Sequence, residues 1–263
     1  MEIEKAYFWP LCFYQDLPKK QQNKIPKKLI NKLQSANLYL WRALNIYDDL
    51  LDGAGQINKL PQANIYLRKF LEIYYRQKLP DDFYKLLNSV MLNLELANKK
   101  ELDKKIETMN DLPALLELSD KSLALSLGPL AILAYIGEKT NGARFQATLN
   151  FFRCALAAKQ LADDAQDWRE DLNAGKITRA NFIIKEKIKA SYKKQLSPTE
   201  INLLFASYSA PQIINDLDQL IRLTKKELPS IKLRAPQQIY QIILDPIARG
   251  VKESGTFLRQ LHQ

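Results

Sequence analysis

The sequence predicts an all-α protein, and three observations carry that expectation. Leu, Ala, Lys and Gln are abundant while glycines number only eight in 263 residues, a composition rich in helix formers and poor in backbone breakers. Alternating polar–apolar runs, the mark of half-buried strands, are scarce, and apolar residues recur at helical spacing instead. No interior stretch is long, polar or proline-rich enough to divide the chain. Residues 1–263 are therefore expected to form one helical bundle, with 1–25 as an N-terminal arm. With 46% apolar residues, a chain of this length buries a substantial core.

The arm places Tyr7, Phe8, Trp9, Leu11, Phe13 and Tyr14 around Pro10, then turns polar. A short helix packed on the domain is expected, with a membrane-surface foot as the alternative. Pro26, a favoured early-turn residue, opens a helix to about Leu51. Ile30, Leu33, Trp41 and Leu44 share its apolar face, and Asp48 falls on that face too. The helix should stop at Gly53-Ala-Gly55. Helices over 62–78 and 81–99 meet at Leu79-Pro80, and a lysine-rich link spans 99–110. Another helix starts near Asp111 and reaches Gly128-Pro129, where proline should kink or break it. After Asn141-Gly142 a long helix runs to near Gly175. Four more follow: about 179–190, one capped by Ser197-Pro-Thr-Glu200, Pro211–Leu228, and about Pro236 to Leu261.

Net charge is +10 and the pI about 9.4, which favours anionic partners. Dense basic blocks and nucleic-acid motifs are missing, so no nucleic-acid partner is expected. Cys12 and Cys154 lack metal-ligand spacing and fit a reduced, cytoplasmic compartment, with the membrane surface as an alternative location. The single histidine, His262, is the penultimate residue, which argues against histidine acid–base chemistry and zinc. No signal-peptide pattern and no run of about 18 apolar residues occurs, so no membrane span is expected.

The chemistry concentrates in two acidic motifs. Asp163, Asp167 and Asp171 are spaced by four, with Asp164 and Glu170 alongside. Leu156, Phe152, Leu149 and Phe145 lie within about 40° of Asp163 around the helix. These acids therefore continue the apolar stripe, where carboxylates are costly unless a cation neutralises them. Asp48-Asp49-Leu-Leu-Asp52 repeats the form 115 residues earlier, again on the apolar face. Residues i and i+4 sit about 6 Å apart along the axis, a span that suits hard cations. Oxygen-only ligands select magnesium, with manganese as an alternative. Magnesium keeps waters and accepts phosphate oxygens, so a diphosphate can complete its shell. Arg153, Lys159 and Lys121 lie on or before the motif helices, and Lys176 and Arg179 follow the second motif.

These residues resemble the class I isoprenoid synthases: trans-prenyltransferases, squalene and phytoene synthases, and class I terpene cyclases. Gln160-Leu161 through Gly175-Lys176 is similar to the second squalene/phytoene synthase motif, Gln-Leu-x-Asn-x-x-x-Asp-x-x-Glu-Asp-x-x-x-Gly-Arg. Asp163 stands at its Asn, and Asp167, Glu170, Asp171 and Gly175 match. Gln160-x-x-Asp163-Asp164-x-x-Asp167 equally matches the second prenyltransferase motif. Asp163, Asp167 and Asp171 also occupy the three metal positions of terpene cyclases. Lys121 with Ser122 to Pro129 resembles the mid-bundle helix break of this superfamily. The resemblance covers roughly residues 26–185.

It implies the isoprenoid synthase bundle with a central prenyl diphosphate cavity, two or three Mg2+ ions and small prenyl diphosphates as partners. Asp48, Asp52, Asp163 and Asp167 would be the main metal ligands, with Asp49, Asp164 and Asp171 beside them. Arg153, Lys121, Lys159, Lys176 and Arg179 would clamp diphosphate, and Trp41 and Phe152 would wall the prenyl pocket. The implied reaction is ionisation of an allylic diphosphate and transfer of the prenyl group to a second isoprenoid. Intramolecular cyclisation, and a catalytically silent binder of prenyl diphosphate or of a protein partner, are the alternatives. The chain departs from the family in two places. No Gly-Gly-Lys-Arg segment or arginine-rich turn follows Asp52, and the Tyr-Cys-Arg entry of squalene synthases is missing, although Tyr39-Leu-Trp-Arg42 sits nearby. A homodimer is compatible with the sequence, which does not fix the oligomeric state.

Overall fold

The computed structural model describes residues 3–102, 112–176, 178–189, 196–234, 241, 244–245 and 247–250. His262, most of the 99–110 link and most of the helix expected over 236–261 lie outside the described residues. Every regular element among the described residues is helical, and no described helix is long and apolar enough to cross a membrane.

The arm is part of the core. Helix α1 (Trp9–Asp16) and the short α2 (Lys19–Gln22) bury Trp9, Phe13 and Leu17, each contributing about 1.5–3 kcal/mol by leaving water. The ring of Trp9 stacks on Phe152, with centroids 5.3 Å apart. Phe8 stays exposed, and Tyr7 and Tyr14 are partly buried.

Helix α3 (Lys27–Leu51) begins after Pro26 as expected and packs on α4 (Leu60–Tyr75). Helix α5 follows at Asp81–Leu102. Next comes the segment expected to hold one helix broken at Pro129. The break falls earlier. Helix α6 (Leu112–Glu117) gives way to two 3-10 turns, Leu118–Lys121 and Leu123–Ser126, and α7 (Leu127–Tyr135) then begins. Pro129 lies in the first turn of α7, where its missing N–H has no intrahelical partner to lose. The 3-10 segment packs against α5 and leaves carbonyls outside any α-helix. Asn37 of α3, fully buried, donates to one of them, Leu125 O, at 2.8 Å and to Ala6 O at 3.2 Å.

Helix α8 (Ala143–Gln166) is the central rod. Phe145, Thr148, Phe151, Phe152, Ala155, Leu156, Ala158 and Leu161 are buried on several sides of it, and α12 lies along it. The helix expected to continue to Gly175 bends at Asp167 (φ −95°, ψ 9°) and resumes as α9 (Trp168–Asn173). After α10 (Arg179–Lys189), α11 (Pro198–Leu204) carries the expected capping box. Ser197 Oγ accepts from Glu200 N at 3.3 Å, and the Glu200 carboxylate accepts from Ser197 N at 2.8 Å. No separate helix starts at Pro211. A π turn over Phe205–Ser209 leads directly from α11 into α12 (Ala210–Ile231). One apolar cluster runs from Ala6 through α3, α5, α7 and α8 to α12.

Candidate active site

Both acidic motifs end a helix, and both helices end on a glycine. Gly53 and Gly175 each take φ 73°, a conformation that costs a residue with a β-carbon about 1–2 kcal/mol. Gly55 then folds back so that its N–H reaches Asp49 O at 2.6 Å. A β-carbon at Gly55 would lie 2.7 Å from Leu50 N, so glycine is required there. The tight turn fixes where α3 stops and where Asp48 and Asp52 stand.

The first motif is not on the buried side of its helix. Asp48, Asp49 and Asp52 are all exposed, whereas Leu33, Ala36, Leu40 and Ala43 are fully buried. The buried face of α3 is centred roughly 70° from the line of Ile30 and Asp48, and the last turns of the helix outrun the core. The second motif is graded. Asp167 is exposed, Asp163 and Asp164 are half-buried and Asp171 is buried. Because the chain bends at Asp167, Asp171 belongs to α9 and its position is set by that bend.

The two motifs meet through lysine. Lys176 Nζ pairs with Asp52 of the first motif and lies 3.3 Å from Asp171 of the second. Burial works against the Lys176 ammonium, but the two carboxylates outweigh it and lift its pKa above the ordinary value. Burial raises the Asp171 carboxyl; Lys176 opposes the rise, and the charges of Asp167 and Asp52 add to it. Lys121, at the end of the first 3-10 turn, lies 4.0 Å from Asp48. It also acts electrostatically on Asp164, whose carboxyl is pushed up to about 7 by burial against a hydrogen bond from Gln160 (2.8 Å) and the charge of Lys121. The helix break that seats Lys121 between the motifs is the structural use of the 3-10 segment. Lys159 pairs with Asp163 one turn along α8.

Asp120, next to Lys121 in sequence, is within electrostatic reach of Arg153. Burial raises the Asp120 carboxyl and Arg153 opposes that rise. The Nε of Arg153 and the Nε1 of Trp41 are buried and donate to no acceptor among the described residues, so each offers a hydrogen bond to a polar ligand or to water. Two expected residues have other roles. Arg179 is buried against α12, its Nε 3.0 Å from Asp216, with Gln212 at 3.5 Å. Phe152 is core, 1% exposed, stacked on Trp9 and edge-on to Phe151.

The sequence does not single out Asp120 or Gln160 as a site residue. Gln160 opens the second motif and sits four before Asp164, the reach of a helical side-chain pair, so spacing could have marked it. For Asp120 the signal was only its adjacency to Lys121.

The arrangement collects carboxylates from two helix ends around ammonium groups. Among the described residues no set of three or more acidic side chains is drawn close enough to hold a metal in the present spacing. Magnesium does not require one, since it binds through one or two carboxylates and completes its shell with water and phosphate oxygens. Every anionic donor here is a carboxylate, the hard oxygen ligand that ion takes. Set beside protein-family models, curated proteins and solved structures, the chain matches none of them.

Proposed function

We propose that this chain is a magnesium-dependent enzyme that ionises an allylic prenyl diphosphate and transfers the prenyl group to a second isoprenoid, on an isoprenoid-synthase type of bundle. The observation that carries this reading is the Lys176 bridge: Asp52 and Asp171, on separate motifs, share one cation. Asp48 and Asp52 on one side would hold the ions, with Asp163, Asp167 and Asp171 on the other and Asp49 and Asp164 adjoining. When bound, magnesium supplies positive charge that neutralises the diphosphate as the carbon–oxygen bond breaks.

The chain's own residues have distinct parts. Lys121 and Lys176, each paired with a carboxylate of the first motif, would take diphosphate oxygens, and Lys159 pairs with Asp163 on the adjoining turn. Arg153 and Trp41 offer unused donors, and the indole face of Trp41 would favour an allylic cation. Arg179 is withdrawn from the clamp and serves instead to tie α10 to α12.

The lysine pairs also favour a second reading, a chain that binds prenyl diphosphate without turning it over, because Asp48, Asp52, Asp163 and Asp171 are already paired with lysines of the chain itself. Product analysis by mass spectrometry over a panel of prenyl diphosphates with Mg2+, alone and with isopentenyl diphosphate, separates the two. A coupled isoprenoid supports transfer and a cyclic hydrocarbon supports cyclisation. Binding with no product and no released diphosphate leaves the silent binder.

A further inference from the structure

A π turn inserts one extra residue into a helix, and such turns occur often at functional sites. Here the π turn over Phe205–Ser209 does two things at once. It lays the ring of Phe205 flat on Trp168, with centroids 4.3 Å apart and planes 4° from parallel. It also brings the buried Ser209 hydroxyl to donate to Ala180 O in α10 at 3.1 Å. Trp168 opens α9 and follows Asp167 directly. From α10, the fully buried amide of Asn181, turned to satisfy both of its ends, donates to Trp168 O and accepts from Leu172 N, each at 3.0 Å. Asp171 lies between those two anchors, and Asp167 immediately precedes the first.

Resting on the reading of the acidic site given above, we propose that Phe205 is a positioning residue for the second motif. Through its stack on Trp168 it sets the bend at Asp167, and hence the placement of Asp167 and Asp171 opposite Asp52. Phe205 carries no charge and no ligand atom. What it fixes is the spacing that Lys176 bridges, which metal ligands need held to within a fraction of an ångström. The residue is partly exposed, and the helix pays for its placement with a π turn, so simple filling of the core explains it poorly.

The test is Mn2+ binding to the full, chelator-treated chain, followed by electron paramagnetic resonance well below the melting temperature, alongside thermal denaturation. Phe205→Ala is expected to raise the half-saturating Mn2+ concentration about tenfold, the order seen when a metal ligand loses its supporting contact. Phe205→Tyr, which keeps the flat ring, is expected to restore wild-type binding. Phe205→Leu keeps apolar bulk but not the stack, and should behave like the alanine variant; it decides the matter if Phe205→Ala does not fold. Variants that melt earlier but bind Mn2+ like wild type overturn the positioning role and leave the metal reading standing. Wild-type chain that takes up no Mn2+ overturns the metal reading and this role with it.

Discussion

Lys176 and Asp52 lie 124 positions apart in sequence and form an ion pair, and the same ammonium stands 3.3 Å from Asp171. One side chain thereby joins the ends of α3 and α9. Removing it leaves Asp52 and Asp171 facing each other without a counter-charge. Lys176→Met is expected to lose about 1–2 kcal/mol of stability in chelator, between the values of exposed and buried pairs. Excess Mg2+ should restore more stability to the variant than it adds to wild type. Urea denaturation with and without Mg2+ measures both, and equal gains from Mg2+ would contradict the shared-cation account.

Asn37 predicts a second effect, on the fold. Its amide donates to Ala6 O and Leu125 O, so it ties the arm and the 3-10 break to α3. Asn37→Ala removes both buried bonds, at a cost of about 1–3 kcal/mol. Asn37→Leu should recover little, because leucine donates no hydrogen bond to either carbonyl. Equilibrium denaturation of both variants checks this, and a leucine variant as stable as wild type would contradict it.

Asp16 gives a pH dependence. It is buried, its Oδ2 has no partner among the described residues, and burial pushes its carboxyl up to about 6, opposed by Arg234. A folded-state pKa above the unfolded value of 3.8 means that the folded chain binds the extra proton in this window. The stability Asp16 confers is complete below the unfolded value and is lost as pH rises through about 6. Asp16→Asn should therefore exceed wild type by about 1–3 kcal/mol near pH 8 and match it near pH 4. Denaturation midpoints across that range decide it, and a pH-independent difference would contradict the assignment.

Much of this was legible in the sequence where local chemistry decides structure. Pro26 and Gly53 bound α3, and Ser197 with Glu200 caps α11, because caps and glycine stops act within a few residues. The two acidic motifs were legible as a pair, and the structure brings them to a common cation. Tertiary terms decided the rest. Periodicity placed Asp48 on the apolar face of α3, but it cannot tell where the core stops, and the last turns of that helix outrun it. The bend at Asp167 was hidden because the four-residue spacing continues through it, while Phe205 and Asn181, which anchor the following turn, come from later helices. Pro129 drew the helix break to itself. The break belongs to Lys121–Ser122, held open by packing against α5 and by Asn37.

The central claim is that the two motifs act together on one diphosphate, and metal-dependent diphosphate release tests it most directly. The wild-type chain with Mg2+ and an allylic prenyl diphosphate should release inorganic diphosphate with time. Asp52→Asn and Asp171→Asn should each lower that rate by about 100-fold or more, the order lost when a charge-stabilising contact is removed. The double variant should fall little further, since the pair acts as one unit. No release by wild type across the panel, or release that survives both substitutions, would contradict the account.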